Sequence, residues 1–72
     1  MFMTEIKYYK VTKITEQELV QAREIATKNH CIVRLLWRPN KYNPEQIISV
    51  DENTSDSTID NILVEARGPW GM

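Results

Sequence analysis

The 72-residue sequence contains very few of the residues that build catalytic or metal sites in small proteins. It has one cysteine, Cys31, and one histidine, His30, so neither an internal disulfide nor a four-ligand zinc site of these residues can form. The only glycines are Gly68 and Gly71, which excludes a glycine-rich phosphate loop in the body of the chain. We therefore expect no cofactor, no metal ion and no enzymatic activity.

Long apolar runs are also missing. No segment approaches the roughly 20 apolar residues of a membrane span, and the first residues lack the basic and apolar regions of a signal peptide. The sequence thus predicts a cytoplasmic protein without membrane contact, folded as a single domain over residues 1–72. A domain of this size buries only about 60% of its unfolded surface, so self-association as a homodimer is the remaining source of extra stability.

Charge is nearly balanced overall but unevenly distributed. Residues 1–50 carry eight Lys or Arg against five acids, whereas residues 51–72 carry one Arg against five acids. A protein that depends on phosphate contacts usually has a larger positive excess. This composition favours a protein partner over a nucleic acid.

The N-terminal part predicts a strand followed by a helix. Residues 5–14 alternate between two sets of side chains and are rich in β-branched and aromatic residues, as is typical of a strand. Thr15 and Glu18 form a capping box, which predicts a helix from Glu16 to Lys28 with Asn29 as its C-terminal cap.

The middle of the chain predicts a β-hairpin. Residues 30–38 form the clearest strand, because every second residue is apolar: Cys31, Val33, Leu35 and Trp37. Residues 39–44 contain two prolines and predict a loop, residues 45–50 predict a third strand, and residues 51–57 are a polar loop.

The last element, residues 58–67, allows two interpretations. Its apolar residues follow helical spacing: Ile59, Ile62, Leu63 and Ala66. Ser57 with Asp60 resembles a second capping box, and Gly68-Pro69 would stop a helix. The alternative is a fourth strand, since residues 62–64 are consecutive apolar residues.

These elements predict an α+β fold of order β-α-β-β-α, a three-stranded sheet with two helices packed on one face. The helices are expected to cover the apolar face of the second strand. The other sheet face should then carry Lys7, Tyr9, Val11 and Lys13 from the first strand and Ile32, Arg34, Leu36 and Arg38 from the second. We predict that this face binds a partner, assisted by a tyrosine in the proline-containing loop. The predicted partner-binding residues are Lys7, Tyr9, Lys13, Arg34, Leu36, Arg38 and Tyr42.

Two patterns that resemble chemical sites are better explained by structure. His30 and Cys31 are a nucleophile and a base, but neighbouring strand residues point to opposite faces and cannot meet. Asp51, Asn53 and Ser55 match the first positions of a calcium-binding loop. Such a loop requires glycine at its sixth position, and this sequence has none there. Neither pattern predicts a site.

The sequence therefore favours a small binding or regulatory protein that acts by protein–protein interaction, such as an inhibitor or accessory factor of phage or plasmid type. The alternative is a nucleic-acid-binding module that uses the same basic and aromatic sheet face. Trp70, near the C-terminus, is expected to fold back onto the small core.

Overall fold

The computed structural model describes residues 4–67 and confirms the predicted α+β fold. Its element order is β1 (Ile6–Val11), α1 (Glu16–Asn29), β2 (Ile32–Trp37), β3 (Gln46–Val50) and α2 (Asp56–Arg67). The last element is a helix, so the fourth-strand alternative is wrong. The predictions about Trp70 and the Gly68-Pro69 stop lie outside the described residues. No helix in this part of the chain is long and apolar enough to cross a membrane.

The sheet has the order β1-β2-β3, with β1 parallel and β3 antiparallel to β2. A parallel pair requires a crossover connection, which α1 supplies, whereas β2 and β3 form a hairpin. Both helices pack on the same face of the sheet. That face contains the predicted apolar side of β2, and Val33 and Leu35 are almost completely buried there.

The core lies between this sheet face and the two helices. Its buried residues are Leu19, Ala22 and Ala26 from α1, Cys31, Val33 and Leu35 in and beside β2, Val50 from β3 and Ile59 from α2. The periodic apolar spacing of α1 explains how the helix presents a small, closely packed stripe to the strands.

The N-terminal caps of the helices differ in how well the sequence predicted them. The Thr15 cap is confirmed, because its hydroxyl accepts a hydrogen bond from the Glu18 amide at 3.2 Å. For α2, the predicted cap at Ser57 is wrong. Ser55 instead accepts a hydrogen bond from the Thr58 amide at 3.2 Å, and the helix begins at Asp56.

The C-terminal cap of α1 is His30, one residue later than predicted. His30 adopts the left-handed conformation with φ 50° and ψ 51°, and its backbone N–H donates to the carbonyl of Ala26. Asn29 instead belongs to the helix, where its side-chain amide donates to the carbonyl of Ile25 at 3.0 Å. A residue with a Cβ is strained in the left-handed region, so this cap is a site of stored strain.

We expect His30→Gly to raise the free energy of unfolding by about 0.5 kcal/mol. Relief of left-handed strain outweighs the added freedom of glycine in the unfolded chain. The lost contact with Glu52, at 3.7 Å between exposed side chains, contributes little. Urea denaturation measures the change, and Asn29→Gly is the matched control, expected to destabilise by about 0.5 kcal/mol because glycine has the lower helix propensity. A cap at Asn29 would reverse the order of the two variants.

Candidate protein-binding face

The sheet face opposite the helices has no element packed on it among residues 4–67, and we call it the open face. The register of the three strands defines it, because laterally paired residues point to the same side. Its members are Ile6, Tyr8 and Lys10 from β1, Ile32, Arg34 and Leu36 from β2, and Ile47 and Ser49 from β3.

The prediction assigned the two alternating sets of β1 side chains to the wrong faces of the sheet. Lys7 pairs with Val33 and Tyr9 pairs with Leu35, which places both on the helix-covered face. There they line a groove with residues of α1, including Gln21 and Glu24. The cationic side chains that were expected on one surface are therefore divided between two surfaces.

The other predicted site residues are also separated. Arg34 and Leu36 lie on the open face as expected. Lys13 follows the end of β1 in the exposed connection to α1, so it is not part of the sheet surface. Arg38 follows the end of β2, where its Nε donates to the carbonyl of Asn43 at 2.9 Å and holds the loop between β2 and β3.

Tyr42 lies in that loop and is 83% exposed. Its backbone N–H donates to the side-chain oxygen of Asn40 at 2.8 Å, which fixes a tight turn. The ammonium of Lys41 lies 5.2 Å from the centre of the Tyr42 ring. The loop thus presents an aromatic ring and a cation together at one end of the hairpin.

Tyr8 and Arg34 form the centre of the open face, and Tyr8 is not among the residues predicted from the sequence. The two residues are direct partners in the register, and Arg34 donates from a terminal guanidinium nitrogen to the Tyr8 hydroxyl at 3.1 Å. The guanidinium carbon lies 5.8 Å from the ring centre, within the range of a cation–π contact. Arg34 Nε is buried and has no hydrogen-bond partner.

Mostly apolar side chains lie on both sides of this pair along the strands. Lys10, Leu36 and Ile47 form one row across the three strands, and Ile6 and Ile32 form another at the opposite end. Ile47 is 58% exposed and Tyr8 is 54% exposed. Water therefore contacts a sheet surface made largely of isoleucine, leucine and tyrosine.

The charge of the open face has a single sign. Among the strand residues 6–11, 32–37 and 46–50, the side chains on this face include the cations Lys10 and Arg34 and no carboxylate. A partner that carries a carboxylate would therefore meet two attractive groups and no acid on these strands. Leu36 lies beside Lys10, and Ile47 is next in the same row, so apolar and cationic contacts are available to the same partner.

The described residues show no arrangement for metal binding. Residues 4–67 contain no cluster of three or more His, Cys, Asp or Glu side chains that could hold an ion. In the loop that partly matches a calcium pattern, Asp51 Oδ1 accepts hydrogen bonds from the Asn53 amide at 2.8 Å and the Thr54 hydroxyl at 3.3 Å. This carboxylate closes a turn before α2. Cys31 is buried in the core as a free thiol.

Comparison of the chain with protein-family models, curated proteins and solved structures gives no match.

Proposed function

We propose that this protein is a non-enzymatic binding protein, an inhibitor or accessory factor whose open face docks an apolar protein surface that carries a carboxylate. The observation that supports the proposal is the Tyr8–Arg34 pair beside partly or fully exposed isoleucine and leucine, on a face whose strand residues include no acid. We also propose the cytoplasm as its compartment, since the single cysteine gives no sign of oxidative cross-linking.

Arg34 explains why the partner should carry a carboxylate. Its terminal guanidinium nitrogens lie at the exposed end of the side chain, whereas Nε is buried, so a partner's carboxylate would contact the terminal nitrogens. A carboxylate can accept two parallel hydrogen bonds from a guanidinium group, which combines charge neutralisation with a fixed geometry. Tyr8 already orients the group, so less side-chain freedom is lost on binding.

The apolar residues explain why the partner should be a protein. Interfaces between proteins combine an apolar centre with tyrosine and arginine, the residue types in which binding energy is concentrated. The open face has this composition, with Leu36 next to Ile47 in one row and Ile6 next to Ile32 in another.

Nucleic acid binding is the alternative. An exposed tyrosine ring beside a guanidinium could stack on a base, as Tyr8 and Arg34 would allow. However, Lys7 and Lys13 are absent from the open face, so fewer cations are available for phosphates than the sequence suggested. The open face is more apolar and less basic than the sequence predicted, which favours the protein partner.

Two designed peptides of about 18 residues, five helical turns each, test the proposal. Both carry the same leucine stripe, which is flanked by glutamates in one peptide and by lysines in the other. We expect the glutamate peptide to bind at least about tenfold more tightly, and Arg34→Met to remove about that factor, as expected for a charge-assisted contact. Fluorescence anisotropy of labelled peptides measures both effects.

Lys7→Met is the matched control, because it replaces a cation on the other sheet face with the same neutral side chain. It should change the affinity for the glutamate peptide little. Equal binding of the two peptides, or equal effects of the two variants, would contradict the proposal. Binding of oligonucleotides that weakens steeply with salt, with a smaller salt slope in Arg34→Met, would favour the alternative.

A further inference from the structure

A groove separates α2 from β3 at one edge of the sheet. No Cα atom of α2 lies within 8 Å of one in β3, and the space between the two elements has a volume of about 560 Å³. Its walls are mostly apolar, with Trp37 and Ile48 on the sheet side and Ile62 and Ala66 on the helix side. Ile48, Ile62 and Ala66 are only partly buried. A side chain that fills this space would extend the small core towards the edge of the sheet.

The groove opens beside the end of α2. Ile62 and Ala66 line it from the last turns of this helix, and Trp37 lines it from the end of β2. The chain leaves α2 after Arg67, the residue that follows Ala66. Residues 68–72, with the sequence Gly-Pro-Trp-Gly-Met, therefore begin within one helical turn of the groove wall, and we call them the 68–72 segment.

The sequence of the 68–72 segment places a large apolar side chain within reach of the groove. Glycine commonly ends a helix in a left-handed turn, and proline cannot continue one, so Gly68-Pro69 is expected to turn the chain away from the axis of α2. Trp70 follows three residues after Arg67, and three extended residues span about 10 Å. The groove wall formed by the last turn of α2 lies within this distance.

We propose that the indole ring of Trp70 occupies the groove and packs against Ile48 and Ile62. An indole is a flat apolar ring with a single N–H donor, which requires an acceptor when the ring is buried. The groove offers both features, because its walls are mostly apolar and side-chain oxygens are available from Gln46 and Glu65 in its lining. No side chain of the 68–72 segment is charged, so Glu65 meets no like charge there.

The other end of the 72-residue chain is too far away to fill the same space. Residues 1–3 precede Thr4, and β1 starts at Ile6 beside Ile32, at the opposite edge of the sheet and the opposite end of β2 from Trp37. Two strand spacings and five residues of β2 put these two corners roughly 19 Å apart. Three residues span only about 10 Å.

Occupation of the groove would complete the packing between α2 and the sheet. Ile59, in the first half of α2, is the buried side chain among the described residues of this helix. Trp70 would fasten the second half of the helix to β3 by burying about 150–250 Å² of its own surface. It would also close the groove to other partners. This inference does not depend on what occupies the open face.

NMR of the unmodified chain tests the proposal. We expect nuclear Overhauser contacts between the Trp70 ring and the methyl groups of Ile48 and Ile62. The indole N–H of Trp70 should exchange with solvent at least about tenfold more slowly than in the free peptide Gly-Pro-Trp-Gly-Met, because exchange requires the ring to leave the groove. The chain contains two tryptophans, Trp37 and Trp70, and Trp70→Phe assigns their two indole signals.

Two variants of α2 test whether the ring lies in the groove. Ala66→Glu places a bulky, charged side chain on the groove wall, and it should bring indole exchange of Trp70 close to the rate in the free peptide. Val64→Glu is the matched control, because it introduces the same side chain at a position of the same helix that is 66% exposed. Exchange should stay slow in this control. Circular dichroism verifies that both variants fold.

Several outcomes would overturn the proposal. Indole exchange of Trp70 as fast as in the free peptide, or equal effects of Ala66→Glu and Val64→Glu, would each do so. Protection that is lost on dilution would place the 68–72 segment in the groove of a second copy, which contradicts the proposed contact within one chain. If Ala66→Glu unfolds, the Overhauser contacts and the exchange rate of the unmodified chain decide by themselves.

Discussion

Replacement of Leu19 by alanine is expected to lower the free energy of unfolding by about 3 kcal/mol. Leu19 is fully buried, and it is one of the largest side chains in the core between α1, the sheet and α2. The change removes its apolar area and leaves a cavity that the surrounding helix and strands can only partly fill. A domain of this length typically has a total stability of about 5 kcal/mol, so the variant would retain little.

Urea denaturation followed by circular dichroism measures this loss. Val20→Ala is the matched control, because Val20 is the next residue of α1 and is only half-buried. We expect the control to lose less than about 1 kcal/mol, since alanine also favours the helix over valine. Similar losses in the two variants would mean that α1 does not face the sheet as described.

The face of α1 and the face of β2 could both be predicted from the sequence, because each has an unambiguous period. Leu19, Ala22 and Ala26 recur at helical spacing, and they are the buried residues of α1. In β2, alternation separates an apolar set from a mixed set, and the apolar set is buried as predicted. A strand with one purely apolar face leaves no choice about which side meets the core.

The face of β1 could not be predicted in this way, because its two alternating sets are almost equally apolar. Tyr8 and Tyr9 are adjacent, and a lysine belongs to each set. The parallel register with β2 determines which set faces the helices, because it pairs Lys7 with Val33. β1 is an edge strand whose covered side is only partly shielded by α1, so Lys7 and Tyr9 can keep their polar ends in water there.

The composition of the open face depended on the same missing information. Ile47 and Ile48 are neighbours, so only the pairing of Leu36 with Ile47 shows which isoleucine is exposed. The contact between Tyr8 and Arg34 joins residues 26 positions apart, and no local pattern encodes it. A parallel register is set by the length and packing of the connecting helix rather than by a turn sequence, and it therefore emerges only from the three-dimensional fold.

Replacement of Ile59 by alanine is the second change with a large expected effect, about 3 kcal/mol in the free energy of unfolding. Among the described residues of α2, Ile59 is the buried one, whereas Ile62 and Leu63 are only partly buried. A helix of 12 residues is marginal in water without tertiary packing. Loss of this side chain should therefore release α2 from α1 and the sheet, and its amide hydrogens should exchange sooner than those of β2.

Val64→Ala is the matched control for Ile59→Ala, because Val64 belongs to the same helix and is 66% exposed. It should leave stability unchanged or raise it slightly, since alanine has the higher helix propensity. Hydrogen exchange followed by NMR separates local release of α2 from global unfolding. The start of α2 has an additional restraint, because Arg23 donates to the Thr54 carbonyl at 3.1 Å and pairs with Asp56 at 2.7 Å. Equal exchange rates in the two variants would contradict the role assigned to Ile59 in holding α2 against the core.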